Sequence, residues 1–265
     1  MKKKVTLFNI CTSVLVQLVT IVYYIVIQKY IISEMGSDIN GLVSSISQFL
    51  NYLSLLEGGV SAVITASLFK PLVEHDPFKV SAIVNAAKKF LSHIAYICVI
   101  YTFILATIYP KIINTKFTYG YVFWLVIIIG MGQFAQYFFA VSDRILLNAD
   151  KKIYIVSFAQ ITLVVLNFVF SVAVIYIYPE IHLLKFVLLL ATIVQIVIYR
   201  VYVTRHYKID RNIPPDQTAL RQRWDGFGQN MAWFINGNTD IVVLTLLSSL
   251  YNVSVYNVYM SLIHI

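Results

Sequence analysis

Charge is scarce in this chain: Asp, Glu, Lys and Arg together make up 12% of 265 residues, against 59% apolar. Mean hydropathy is +0.78, which excludes an ordinary water-soluble domain. Cysteine is almost missing. Cys11 and Cys98 both lie inside apolar runs, so no disulfide framework is expected. The five histidines (His75, His93, His182, His206, His264) are scattered, without metal-ligand spacing or a neighbouring cysteine, so no metal site is expected. There is no glycine-rich phosphate loop and no catalytic constellation. Neither ATP hydrolysis, nor a cofactor, nor an enzymatic activity is expected. Strand alternation is missing too: the apolar runs are continuous, which excludes a closed strand barrel.

What is there is hydrophobic length. Apolar spans fall at roughly 6–27, 41–69, 90–110, 119–143, 153–178, 182–203 and 228–249, with another opening near Val253. The reading is an all-α polytopic membrane protein. The N-terminal MKKKVTLFNICTSVLVQL has the charge and apolar run of a signal peptide, but the run continues to about Ile27 without a small-residue cleavage site, so it reads as a retained first helix. If the N-terminus is cytoplasmic, sixteen of the twenty basic residues fall on the inner side and only Lys29, Lys111, Lys116 and Lys185 on the outer. This positive-inside bias accounts for the formal charge of +8 without a nucleic-acid partner.

The inner loops are the longer ones. In 70–89, Asp76-Pro77 places an N-cap and a first-turn proline ahead of an interfacial helix that feeds the third span. In 204–227, the chain breaks at Pro214-Pro215 and resumes as a short basic helix before Gly226. This reads as a solvated connector held near anionic lipid.

Polar residues inside the spans carry the functional signal. Glu57 sits near the middle of Gly41–Phe69, where a carboxylate costs on the order of 2.5–3.5 kcal/mol. Ser47, Asn51, Ser54, Ser61 and Thr65 recur at helical spacing on its face, beside Gln48. Two readings stand: a buried packing group, or the wall of a polar translocation cavity. Gln133 and Gln136, Gln160 and Asn167, and Gln195 place further polar groups in the fourth, fifth and sixth spans. The seventh carries Asn236, Asn238 and Asp240, with Asn236 and Asp240 four apart on one face. Such groups also serve as inter-helix glue at about 0.6 kcal/mol each. Arg144, at the inner mouth, reads either as an attractor for an anionic head or as a topology anchor paired with Asp143.

The run GSDINGLVSSISQFLNYLSLLEGGVSAVITASLFKPLVEHD resembles the second-helix region of bacterial polysaccharide repeat-unit flippases. These are the Wzx/RfbX-like members of the MATE-related multidrug and oligosaccharidyl-lipid exporter superfamily. The resemblance rests on Asn40–Leu42, Leu55–Gly59 and Leu68–Asp76, with further matches at Leu146–Lys151 and Asn238–Asp240. It implies two six-helix lobes around a cavity of alternating access in the bacterial cytoplasmic membrane. Residues 1–205 would then be the first lobe, 206–227 the inter-lobe loop and 228–265 the start of the second. As the family has twelve to fourteen helices, the chain reads as a fragment, with residues after about Pro214 loosely packed. The implied cargo is an isoprenoid-diphosphate-linked oligosaccharide for capsule, O-antigen or exopolysaccharide assembly. The implied partners are membrane lipids, a polysaccharide polymerase and other assembly proteins. Candidate path residues are Gln48, Asn51, Glu57, Arg144, Asn236, Asn238 and Asp240. The alternatives are a drug or cation exporter of the same superfamily, and a membrane-embedded polymerase or ligase, which would be expected to carry a sizeable outer loop.

Overall fold

The computed structural model describes residues 2–263 except 58, 114, 217 and 219–226, and side chains apart from those of 2–5, 227–230, 233 and 261–263. Among the described residues the chain is helical without strands. Its helices are α1 (Lys2–Met35), α2 (Ser37–Asn51), α3 (Ser54–Glu57), α4 (Val60–Val73), α5 (Pro77–Ile112), α6 (Tyr119–Ala135), α7 (Val141–Ala149), α8 (Ile153–Ile177), α9 (Ile181–His206), α10 (Phe227–Leu247) and α11 (Leu250–Ile263). A π-helical turn, Gln136–Ala140, joins α6 to α7. Five helices are long and apolar enough to cross a membrane, six if the bent α2–α4 stretch counts as one span. The protein is an all-α polytopic membrane protein. The short basic helix expected before Gly226 lies outside the described residues, as does Gly58 of the expected Leu-Leu-Glu-x-Gly turn.

Several boundaries differ from the sequence reading, each for a local reason. The first span runs to Met35 rather than Ile27, and Lys29 is therefore helical. It ends at Gly36, whose φ of 92° is open to glycine and strained for other residues. The expected interfacial helix and third span are one helix, α5. Its 36 residues extend about 54 Å, well beyond a 30 Å hydrocarbon core. Asp76 caps it as expected, its carboxylate accepting from the Lys79 amide at 3.0 Å, and that bond holds its pKa below the usual carboxylate range.

The larger difference is in Gly41–Phe69, which is not one helix. It breaks after Asn51 and bends by 42° between Ser37–Glu57 and Val60–Val73. The Phe49 carbonyl, which a continuous helix would offer to Leu53, accepts the Tyr52 amide at 3.3 Å and the Tyr101 hydroxyl at 2.9 Å. Leu53, Leu55 and Leu56 amides turn to the carbonyls three residues back, which tightens the chain into the bend. The single polar face through Glu57 is thereby cut in two.

Two apolar cores are stacked along the bundle. One joins Leu53, Ile64, Leu68, Val84, Leu91, Tyr137, Leu146 and Tyr199, near the ends rich in Lys and Arg. The other joins Ile27, Leu42, Leu50, Leu105, Leu125 and Leu184 at the opposite ends. Many large apolar side chains face outward, including Ile97, Ile100, Phe103, Phe168 and Val197, as a lipid-facing surface requires.

Residues 210–216 bond to α5, and α10 and α11 bond to α2; loose packing was expected after about Pro214. Asn85 Nδ2 donates to the carbonyls of Asp210 (3.0 Å) and Ile213 (2.9 Å), and the Asp216 amide donates to Ala82 O at 3.1 Å. α11 lies along α2, with Asn40 Nδ2 donating to Ser254 Oγ at 2.8 Å. Tyr109 Oη and Thr245 Oγ1 both reach Ser45 Oγ, at 2.6 and 2.8 Å. Residues of α10 and α11 thus find partners on α2 that the span pattern did not reveal.

The charge asymmetry fixes a test of orientation. In a background with the exposed Cys11 replaced by serine, Lys116→Cys should react with an impermeant thiol reagent outside intact cells and Asn212→Cys should not. The reverse labelling would invert the orientation.

Candidate functional site

A polar cavity of about 510 Å³ opens between α1, α2, α9, α10 and α11, in the half of the bundle away from the basic ends. α2 supplies one wall, because Asn40, Ser44, Ser47, Gln48 and Asn51 recur at three- and four-residue steps and share a face. α1 adds Gln17, Thr20 and Gln28 opposite, and α11 adds Asn257. Thr20 Oγ1 is buried and meets no protein partner. Among the described residues the lining holds one cation, Lys185 of α9, and no carboxylate.

Of the seven residues singled out from the sequence, Gln48 and Asn51 line this cavity and Asn238 backs it. Gln48 Nε2 donates to Asn238 Oδ1 at 2.6 Å, and Asn238 Nδ2 donates to Phe234 O at 2.7 Å, which locks both amides. Gln133 Nε2 reaches Asn51 Oδ1 at 3.3 Å from α6.

The other four stand elsewhere. Glu57, at the bend, accepts the Ser61 hydroxyl and lies within electrostatic reach of Tyr137. Arg144 stands on α7 within charge range of Tyr137 and Tyr199. The pairing of Arg144 with Asp143 is not what the structure has. Consecutive helical residues point about 100° apart, and Asp143 instead meets Arg200 Nη1 at 3.4 Å across from α9. Asn236 is exposed on α10. Asp240, on the same helix, accepts the Tyr256 hydroxyl within the α10–α11 hairpin.

The glutamines of spans four to six are glue. Gln136 Nε2 donates to Gln195 Oε1 (3.1 Å), and Gln195 Nε2 donates to Gln160 Oε1 (2.7 Å).

Lys185 is the cavity residue that the sequence reading missed. It was counted only as an outer-side charge, although the span read at 182–203 contained it; it lies inside α9, in the run LLKFVLLL. A lone lysine within an apolar run is itself a functional signal. Beside the cavity, α1 and α8 form an apolar groove of about 340 Å³ lined by Leu18, Val19, Val22, Val164, Val165 and Phe168. Tyr23 belongs to the walls of both the groove and the cavity.

Comparisons with protein-family models, curated proteins and solved structures give no match to this chain.

Proposed function

We propose that this chain takes part in moving an isoprenoid-diphosphate-linked oligosaccharide across the bacterial cytoplasmic membrane, with its N-terminus on the cytoplasmic side. The observation that carries this reading is the shared Tyr23 wall: a polar cavity with one cation lies directly beside an apolar, lipid-facing groove. An amphiphile needs both. Its sugar and diphosphate cannot enter hydrocarbon unaided, while its isoprenoid gains by staying there. Asn and Gln amides of α1 and α2 suit sugar hydroxyls, and Lys185 suits a diphosphate oxygen. A cationic drug would meet Lys185 and no carboxylate, which favours the anionic cargo over the drug exporter.

The test is reconstitution of the chain into vesicles carrying a fluorescent isoprenyl-diphosphate disaccharide, with leaflet exchange read by an impermeant quencher. Exchange above protein-free vesicles is expected. Ser47→Leu, which places an apolar branch in the cavity, should slow it by about tenfold, the equivalent of roughly 1.4 kcal/mol. Vesicles that move a cationic dye and leave the lipid-linked sugar in place would sink the proposal.

A further inference from the structure

At the basic end, α5, α7 and α9 meet the segment that follows α9 and enclose a second cavity of about 320 Å³. Lys88, Arg200, Lys208 and Arg211 line it, with Asp143 as the one acidic side chain among the described residues. Four cations thus face one carboxylate. Positive-inside bias puts Lys and Arg at a membrane face, but it does not gather them from three separate segments around a hollow.

The Asp143 carboxylate is deeply buried. Arg200 Nη1 stands 3.4 Å from its Oδ2, and that oxygen accepts no hydrogen bond. A guanidinium has five N–H donors in a rigid fork, so this single loose contact leaves most of Arg200 uncommitted. Lys88 is within electrostatic reach of Arg200 and Arg211 as well as Asp143. Like charges drawn together without enough counter-charge repel, and an anion in the cavity relieves them.

The wall is built in advance. Asn85 holds the carbonyls of Asp210 and Ile213, and Ser81 Oγ accepts the Asp210 amide at 3.1 Å. Arg211 lies between those anchor points, so the backbone that carries it is fixed to α5 before any ligand arrives. The volume is at the small end for ligand cavities and suits a compact head rather than a sugar chain.

We infer that this cavity is a binding site for a phosphate or diphosphate group, held by Lys88, Arg200 and Arg211. The site lies apart from the Lys185 cavity and does not rest on the transport reading. Two sources offer that chemistry: the head group of an anionic lipid in the adjoining leaflet, and a soluble phosphate ester.

The test uses the purified full chain in uncharged detergent. One arm titrates inorganic pyrophosphate by calorimetry; the other titrates phosphatidylglycerol and counts bound lipids by native mass spectrometry. Saturable binding in either arm supports the site, and the arm that binds names the source. Lys88→Gln with Arg211→Gln should weaken it by about tenfold or more, as expected for lost charge-assisted bonds. Asp143→Asn should tighten it, because the carboxylate competes with the ligand for Arg200. That gain is a readout that a poorly folded variant does not mimic. No binding in either arm, unchanged affinity in the double variant, or weaker binding in Asp143→Asn would overturn the inference.

Discussion

Gly41→Ala should unseat α11 from α2 and cost the protein more than any other single methyl group. A Cβ built at Gly41 falls 1.8 Å from the Leu250 carbonyl oxygen and 2.7 Å from its carbon, both backbone atoms with no rotamer to yield. Ordinary C···O contacts lie near 3.3–3.6 Å, so the helices must part by more than an ångström. Hydrogen bonds do not stretch that far. The contacts Asn40–Ser254, Ser45–Thr245 and Gln48–Asn238 are exposed to loss together. At about 0.6 kcal/mol each inside a membrane protein, plus about 1–3 kcal/mol of overpacking, the total is roughly 3–5 kcal/mol. For a chain of this size that lowers Tm by about 10 °C. Gly237→Ala is the control, since no atom stands within 4 Å of its added Cβ. Equal melting of the two variants would show that α11 does not lie on Gly41.

Lys185→Glu should abolish movement of the lipid-linked sugar, and Lys185→Arg should keep it. Among its described lining residues the cavity has no second cation to compensate and no carboxylate to explain Lys185 as one half of a buried pair. Reversal therefore sets a negative side chain against a diphosphate in a site of low dielectric. Lys185→Gln removes only the attraction. Hydrogen bonds to charged groups contribute about 1.5–3 kcal/mol, so glutamine should slow exchange by roughly 10- to 100-fold and glutamate by more. The readout is quencher-accessible fluorescence per inserted protein, which separates lost transport from lost insertion. Parental rates in both variants would mean that the cavity is not the path.

Helix content and the lipid-facing surface were legible because both follow from local runs of apolar side chains. Asp76-Pro77 announced the start of α5, since a cap and a first-turn proline act within four residues. Ser47 and Asn51 were legible on one face of α2 from spacing, although the same reading carried that face on to Glu57, beyond the bend. What was not legible depends on distant partners. At the bend after Asn51 the Phe49 carbonyl is shared with Tyr101, fifty residues away in sequence. Lys185 fell within the span read at 182–203 yet was counted only as an outer-side charge, because which α1 and α2 residues share its cavity shows only in the packed bundle. Asp143 chose Arg200 over its neighbour in sequence for a reason visible only once α7 and α9 lie side by side.

The two stacked cores meet at a level where the backbone is already irregular. Leu50 belongs to one core and Leu53 to the other, and α2 breaks between them; Tyr101 touches both. Val126 of α6 and Tyr137 of the π turn that follows it fall on either side of that level. Gln133 ties the two irregularities together through Asn51. The bundle therefore carries a transverse flexure, a plane where two helices have given up the regular ladder that makes the others stiff rods. Tilting of one half against the other would rework a few amide pairs at that plane and leave the packing above and below it intact. Asn51 lines the cavity and also lies on that plane, so a cargo bound as proposed would meet the side chain that joins the two irregularities.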